Sequence, residues 1–330
     1  MIKHHPTAKT YAPAAAEATR RTVRYRFNGV GALATTSLPN GLTNSYVYNG
    51  RNQLLQLSTS KISNQQTAIL NQFTYTLAAT GHRTNVSESS TRSGGVSPPS
   101  TTRSVSYVYD ILHRLTGETV ADSHGPSGTV GYTLDAVSNR TTRSSTLPGV
   151  TAQTQSVDSN DRLTTDTTDA NGNTLASLLA GNTVTDIYDF ENRLIRRTDS
   201  SGKTIDLSYD TDGNRTAKTK THVGQLSETT RYLVDTQNAT GYAQVVEEHT
   251  ATGNTPALLA TVYAYGADLI GQDRRATSSS PWTLSYYLYD GGGHVRALSN
   301  AAATSTDEYA YDAYGILLSS IGTTQNNYLY

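Results

Sequence analysis

The chain of 330 residues contains no cysteine, a single methionine, a single tryptophan and three phenylalanines, and its formal net charge is −1. Each scarcity excludes something. Without cysteine no disulfide can staple the fold, and no thiol can serve as a nucleophile. A charge so near zero, with a pI of about 6.7, gives no basic field to draw nucleic acid or an anionic membrane surface. No apolar run reaches the length that spans a bilayer. The opening MIKHHPTAKTYAPAAAEATRRT lacks the apolar core of a signal peptide. Export of this chain would therefore depend on a signal outside it.

What the chain has is tyrosine, 22 residues of it, a side chain suited to a pleated, half-buried surface where the ring packs and the hydroxyl reaches a partner. The tyrosines are ordered. Residues 284–315, LSYYLYDGGGHVRALSNAAATSTDEYAYDAYG, hold Tyr-x-Tyr-Asp twice, as Tyr287-Leu288-Tyr289-Asp290 and Tyr309-Ala310-Tyr311-Asp312. In a strand the two tyrosines of such a unit share a face. The Asp then starts a turn, because its carboxylate can accept a nearby backbone N–H. Gly293 and Gly315, three residues on, supply the positive φ of a reversal. Each unit reads as one arm and the tip of a β-hairpin.

Weaker copies precede it. They are Tyr46-Val47-Tyr48-Asn49, Tyr75-Thr76-Leu77-Ala78, Tyr107-Val108-Tyr109-Asp110, Tyr132-Thr133-Leu134-Asp135 and Asp158 with its neighbours. Then come Tyr188-Asp189, Leu207-Ser208-Tyr209-Asp210, Tyr232-Leu233-Val234-Asp235 and Tyr263-Ala264-Tyr265-Gly266. Anchors lie roughly 20 to 32 residues apart, the spacing of stacked-repeat architectures. The position three past the anchor holds Asn52, Gly81, His113, Ser138, Asp161, Asn192, Gly213, Gly293 or Gly315. All but Ser138 are residue types enriched at positive φ. The sequence is thus all-β, a tandem of hairpins.

The motif Tyr-x-Tyr-Asp-x-x-(Asn/Gly)-Arg-Leu resembles the YD repeat of the Rhs family, which includes bacterial polymorphic toxins, shell subunits of insecticidal toxin complexes, and the animal teneurins. YVYDILHRLTGE (107–118), YDFENRLIRR (188–197) and SYDTDGNRTAK (208–218) carry the likeness, and residues 284–330 resemble the start of the Rhs-associated core. The resemblance covers about residues 25–330. It implies an antiparallel sheet of YD hairpins spiralling around an axis, here an open fragment of an Rhs-type shell, with about ten to twelve hairpins by the repeat count. It also implies a role: the shell encloses a C-terminal toxin, so the partners would be downstream cargo, the remaining shell segments and delivery machinery. On that resemblance the protein would be secreted or at the cell surface. The aspartates that the family associates with self-cleavage lie beyond this chain, and Asp312-Ala313-Tyr314-Gly315 comes too early to be that site, so the expectation is a non-enzymatic protein with no cofactor. The expected anchors are structural: Tyr107, Tyr109, Asp110, Tyr188, Asp189, Tyr209, Asp210, Gly213, Tyr287, Tyr289, Asp290, Gly293, Tyr309, Tyr311, Asp312 and Gly315. The alternatives are an adhesion module for a glycan or cell-surface receptor, and an orphan remnant of a toxin gene without present function.

Residues 1–24, with the alanines of Ala14–Ala18, suggest a short helix or disorder, and 25–330 a single repeat domain. SGGVSPPSTTRS (93–104) reads as a loop, and TLASLLAG (174–181) as either a helical turn or a buried strand. Both ends look cut, since the last residues, Asn327-Tyr328-Leu329-Tyr330, begin another Tyr-x-Tyr strand. Other chemistry finds little support. Asp169-x-Asn171-Gly172-Asn173 and Asp210-x-Asp212-Gly213-Asn214 resemble the start of a calcium loop but have Ala180 and Thr221 where the bidentate Glu belongs. The eight histidines show no zinc spacing, and His82, His113 and His294 stand at or beside turns. No Gly-x-Ser-x-Gly elbow appears, and Gly291-Gly292-Gly293 reads as a flexible hairpin tip rather than a phosphate loop. Asp307 and Glu308 point to opposite faces of a strand and make no acid–base pair. The arginines that follow the turns (Arg83, Arg114, Arg140, Arg162, Arg193, Arg215 and Arg296) are expected to pair with Asp across neighbouring hairpins.

Overall fold

In a computed structural model, residues 8–11, 21–63, 65–91, 100–179 and 181–329 are described. Among them every regular element is a strand: twenty-six, from Ala8–Tyr11 to Leu317–Ile321. They form a twelve-stranded and a fourteen-stranded sheet, each running in chain order. The hairpin reading from the tyrosine periodicity therefore holds. Strands Ala8–Tyr11 and Arg21–Phe27 occupy part of the N-terminal segment for which a helix or disorder was expected. Ala14–Ala18 and most of the 93–104 loop lie outside the described residues. TLASLLAG is neither a helical turn nor a buried strand. Residues Thr174–Leu179 form a strand whose Leu178 and Leu179 are exposed.

The turn is built alike at nine of the anchors, those at Asp235 and Gly266 closing differently. The Asp110 N–H donates to the Arg114 carbonyl and the His113 N–H returns to the Asp110 carbonyl, both at 3.0 Å. Asp110 Oδ1 accepts the N–H groups of Leu112 and Arg114 at 2.9 Å. Closing this ring requires a left-handed residue three past the anchor. There φ is 59° at Asn52, 62° at His113, 60° at Asp161, 61° at Asn192 and 80° at Ser138; Gly81, Gly213, Gly293 and Gly315 lie between 84° and 92°. All nine positions read from the sequence are left-handed, including Ser138, whose side chain has no such preference. The same turn recurs at Asn28, Asp169, Asp199 and Asn300, closed by Gly31, Gly172, Gly202 and Ala303.

Pairing slips by one residue beside these turns, as between Val108 and Tyr109, the mark of a β-bulge. A threonine six past the anchor (Thr84, Thr116, Thr141, Thr164, Thr216, Thr306) donates its hydroxyl to the carbonyl two residues before the anchor. The tyrosine next to the anchor reaches further. Tyr48, Tyr109 and Tyr209 donate to the carbonyls of Leu33, Arg83 and Leu194, each five past a neighbouring anchor on the same sheet edge.

The arginines depart from expectation. Arg114, Arg162 and Arg193 pair with Asp110, Asp158 and Asp189 of their own turns at 2.7–2.8 Å. The turn brings residue i+4 alongside the second oxygen of its anchor, so the nearest carboxylate lies within the hairpin. The link to the next hairpin is instead a carbonyl: Arg114 donates to Asp135 O at 2.8 Å, and Arg193 to Asp210 O. Arg140 and Arg215 lie over the rings of Tyr132 and Tyr232, a cation–π contact.

The chain divides into two compact units, Met1–Thr154 with Leu284–Tyr330, and Gln155–Thr283. In the first, alternate residues build two clusters. One centres on Leu57, Phe73, Tyr75 and Val86. The other centres on Val105, Val120, Val130 and Tyr132, with Ile316 and Leu318 packed against it.

Because an L-residue in the left-handed region costs about 1–2 kcal/mol, Ser138→Gly should raise stability by about 1 kcal/mol after the entropic cost of glycine. Ser138→Val should lower it by a similar amount. Urea midpoints with unchanged slope are the check, and equal midpoints for the two variants would contradict the strained-turn account.

Candidate functional site

In the first unit, residues 284–329 dock on the buried face of the first sheet. That face has a charged row set into apolar rows. Strand register places Phe73 opposite Glu88, Glu88 opposite Arg103, and Arg103 opposite Asp122. Arg296, from the strand Val295–Ser299, completes the row. Its guanidinium meets Glu88 at 2.6 Å and Asp290 at 3.3 Å, covers the Phe73 ring and donates to Tyr309 O. Arg103 meets Glu88 at 2.7 Å and donates to Tyr311 O at 2.8 Å. The side chains of Glu88 and Arg296 are each 10% exposed. Glu88 thus lies between two arginines supplied by segments almost 200 residues apart.

Successive turns of the docked segment are each fastened. At the first, the Gly291 N–H donates to Tyr75 Oη and its carbonyl accepts from Arg83 Nη2, both at 2.6 Å. A Cβ at Gly291 would lie 2.7 Å from Tyr75 Oη. The glycine run is therefore not a free tip; its first member is there because a neighbouring side chain occupies the place of a Cβ. At the second turn, Asn40 Nδ2 donates to Asn300 O and Lys61 Nζ to Ala302 O, both at 2.9 Å. At the third, the Ala313 N–H donates to both oxygens of Glu118, at 3.2 and 3.0 Å.

Between the segments lies a cavity of about 230 Å³, walled by Tyr75, Tyr107, Tyr109, Tyr311, Arg103 and Asp312 among others. Burial pushes the Tyr75 hydroxyl up to about 12, with the Asp290 charge adding to it. Burial raises Tyr107 and Tyr311 as well. Burial alone would raise the Asp290 carboxyl, but the His294 hydrogen bond and the Arg296 charge hold it at about 2. Glu118 moves the other way. Burial raises it and the charge of Asp312 raises it further, against the N–H of Ala313. What this arrangement does physically is fix register: paired, mostly dry charges join two distant segments in one geometry.

Of the sequence-derived anchors, Tyr107, Tyr109, Asp290, Tyr311 and Asp312 meet around this cavity. Tyr287 and Tyr309 are buried in the first unit, and Tyr188, Asp189, Tyr209, Asp210 and Gly213 belong to the second. Sequence reasoning missed Glu88, Arg103, Glu118 and the close approach at Gly291. A signal was present: Arg103-x-Val105-x-Tyr107 and Glu118-x-Val120 put a charge on the face that alternation assigns to the core. The calcium-like loops are turns. Asp169 Oδ1 accepts the N–H groups of Asn171 and Asn173, and Asp210 Oδ1 those of Asp212 and Asn214. His82 stacks on His113 with centroids 4.7 Å apart. Among the described residues, no group of three or more His, Asp or Glu is placed to hold a metal ion.

No protein-family model matches the chain, and no curated protein matches it in sequence. Solved structures do match. A crystal structure of TcdB2-TccC3-Cdc42 is similar at a TM-score of 0.72 and 16% identity, over 96% of this chain and 17% of that one. The structure of TcdB2-TccC3 is similar at 0.70 and 16%, over 96% and 18%. A Photorhabdus luminescens Tc holotoxin pore carrying a TccC3 variant is similar at 0.70 and 16%, over 93% and 16%. The likeness shows the fold, an all-β array of hairpins, and the chain spans about a sixth of the length of those chains. No helix among the described residues is long and apolar enough to cross a membrane.

Removing one member of a buried ion pair leaves an uncompensated charge, so Glu88→Gln should cost about 3–5 kcal/mol. The pair Glu88→Met with Arg296→Met should cost less than the sum of the two single changes. A double-mutant cycle by denaturant unfolding measures this, and strict additivity would show that the residues do not act as a network.

Proposed function

We propose that this chain is a length of wall in the shell of an Rhs-type toxin, and that its work is to enclose a toxin polypeptide rather than to catalyse a reaction. The observation that carries this reading is the fold likeness to TcdB2-TccC3 along nearly the whole chain. The YD motifs support it independently, since they resemble the shells of that family. So does the construction: hairpin tips laced to their neighbours by tyrosine hydroxyls and arginines, which suits a wall that must stay closed. The partners on this reading are the cargo, the rest of the shell and a delivery apparatus, and the setting is a secreted toxin. A second reading, adhesion to a glycan or protein at a cell surface, draws on exposed apolar residues at turn tips, Ile111 and Phe190, which are 94% and 92% exposed.

Protease protection separates the two. In the gene product that contains this chain, the toxin polypeptide should resist trypsin until the shell is opened with denaturant, and the purified chain should bind neither cells nor glycans. A saturable interaction of the purified chain with glycan or cell surface, with no protected polypeptide, would replace the shell reading by adhesion.

A further inference from the structure

Glu118 and Asp312 come from segments far apart in the chain and are almost wholly buried, at 2% and 4% exposure. Glu118 accepts the Ala313 N–H with both oxygens and the Tyr132 hydroxyl at 3.3 Å. Asp312 caps its own turn with Oδ1, which accepts the N–H groups of Tyr314 and Ile316 at 3.0 and 2.7 Å. Its Oδ2 is buried with no hydrogen-bond partner. A carboxylate oxygen so placed, beside a second carboxylate, carries an unrelieved desolvation cost when both are ionised.

The surrounding groups relieve it only in part: the hydrogen bonds from Ala313 and Tyr132 and the Arg103 charge favour ionised Glu118, but burial outweighs them. Arg103, on the adjacent strand, is committed to Glu88, to Tyr311 O and, at 3.9 Å, to Asp122. Arg140 lies over the rings of Tyr132 and Tyr314, at 5.8 and 4.9 Å from their centroids. Arg296 is occupied by Glu88 and Asp290. The other neighbours that titrate, Tyr107 and Tyr132, are held neutral by burial and by these same carboxylates.

We propose that Glu118, buried against the Asp312 turn, is a proton-binding site: it holds a proton in the folded chain, and loss of that proton loosens the seat of the 312–316 turn against the first sheet. With Glu118 neutral, the site holds a single negative charge; with both ionised, like charges face each other across the junction. The raised proton affinity of Glu118, caused by burial and by the Asp312 charge, agrees with this. The folded chain keeps that proton to higher pH than an unfolded chain does. Its contribution is therefore fully present below the ordinary Glu range and is lost as pH rises through the folded value. Asp290, held at about 2, has the opposite sign and acts only in strong acid. The two windows do not overlap. The site belongs to this unit whatever the chain encloses or binds.

The test uses the full chain and a proton titration. Unfolding midpoints of the natural sequence, Glu118→Gln and Asp312→Asn are compared between about pH 4 and pH 9. The natural sequence should lose stability as pH rises above the ordinary Glu range, and Glu118→Gln should lose less across that window, its remaining slope including that of Asp268, whose carboxyl burial also raises, with Asp312→Asn between the two. Equal slopes for the natural sequence and Glu118→Gln, or a natural sequence that gains stability across the window, would overturn the proposal. Should a variant fail to fold, hydrogen exchange at the Ala313 amide in the natural sequence decides. Beyond intrinsic base catalysis it should accelerate up to about tenfold per pH unit through the window; a rate following intrinsic catalysis alone would refute the site.

Discussion

An antiparallel meander must reverse the chain at the end of every strand, and in this protein the reversals at nine of the anchors each rest on one left-handed residue. The anchor's N–H and C=O close a small ring only if the residue three positions on has positive φ. Everything else follows from that closure. It sets the bulge beside the turn, brings residue i+4 against the anchor carboxylate, and aims the adjacent tyrosine hydroxyl at the neighbouring hairpin. The requirement is conformational and not chemical, which is why Gly, Asn, Asp, His, Ser and Ala all occupy the position.

That distinction explains what could be read from the sequence. The turns were legible because their chemistry is local: Asp followed three residues later by Gly or Asn is visible in any frame. Even Ser138 could be placed, by register with its neighbours and not by its own preference. The arginines were misassigned for the converse reason. Cross-strand pairing is the general rule for sheets, but the bulged turn brings a nearer carboxylate within reach, and only the bulge geometry reveals it. The junction was least legible. Glu88, Arg103 and Arg296 are joined by a contact between distant segments that no periodicity encodes, and the glycine run looked free because its neighbour, Tyr75, lies more than 200 residues away.

The junction also shows how polar groups serve a fold short of large apolar side chains. With three phenylalanines in the chain, cluster packing relies on aliphatic side chains and on tyrosine, and each buried tyrosine brings a hydroxyl that needs a partner. Tyr75 accepts from a backbone N–H, and Tyr132 and Tyr263 donate to Glu118 and Glu248. Such contacts contribute modestly to stability but admit few alternatives, because a slipped register would leave charges and hydroxyls unpaired in a dry interior.

The long-range docking carries a consequence for synthesis. Hairpins paired in chain order can form as the chain emerges, but the face bearing Glu88 and Arg103 is completed only by Arg296. At roughly 5–20 residues per second, the first sheet waits on the order of ten seconds or more with a charged, apolar-flanked face uncovered. During that interval the face is open to chaperones or to another nascent copy, and the strands Val295–Ser299 and Ser305–Tyr311 act as the lid that ends the exposure.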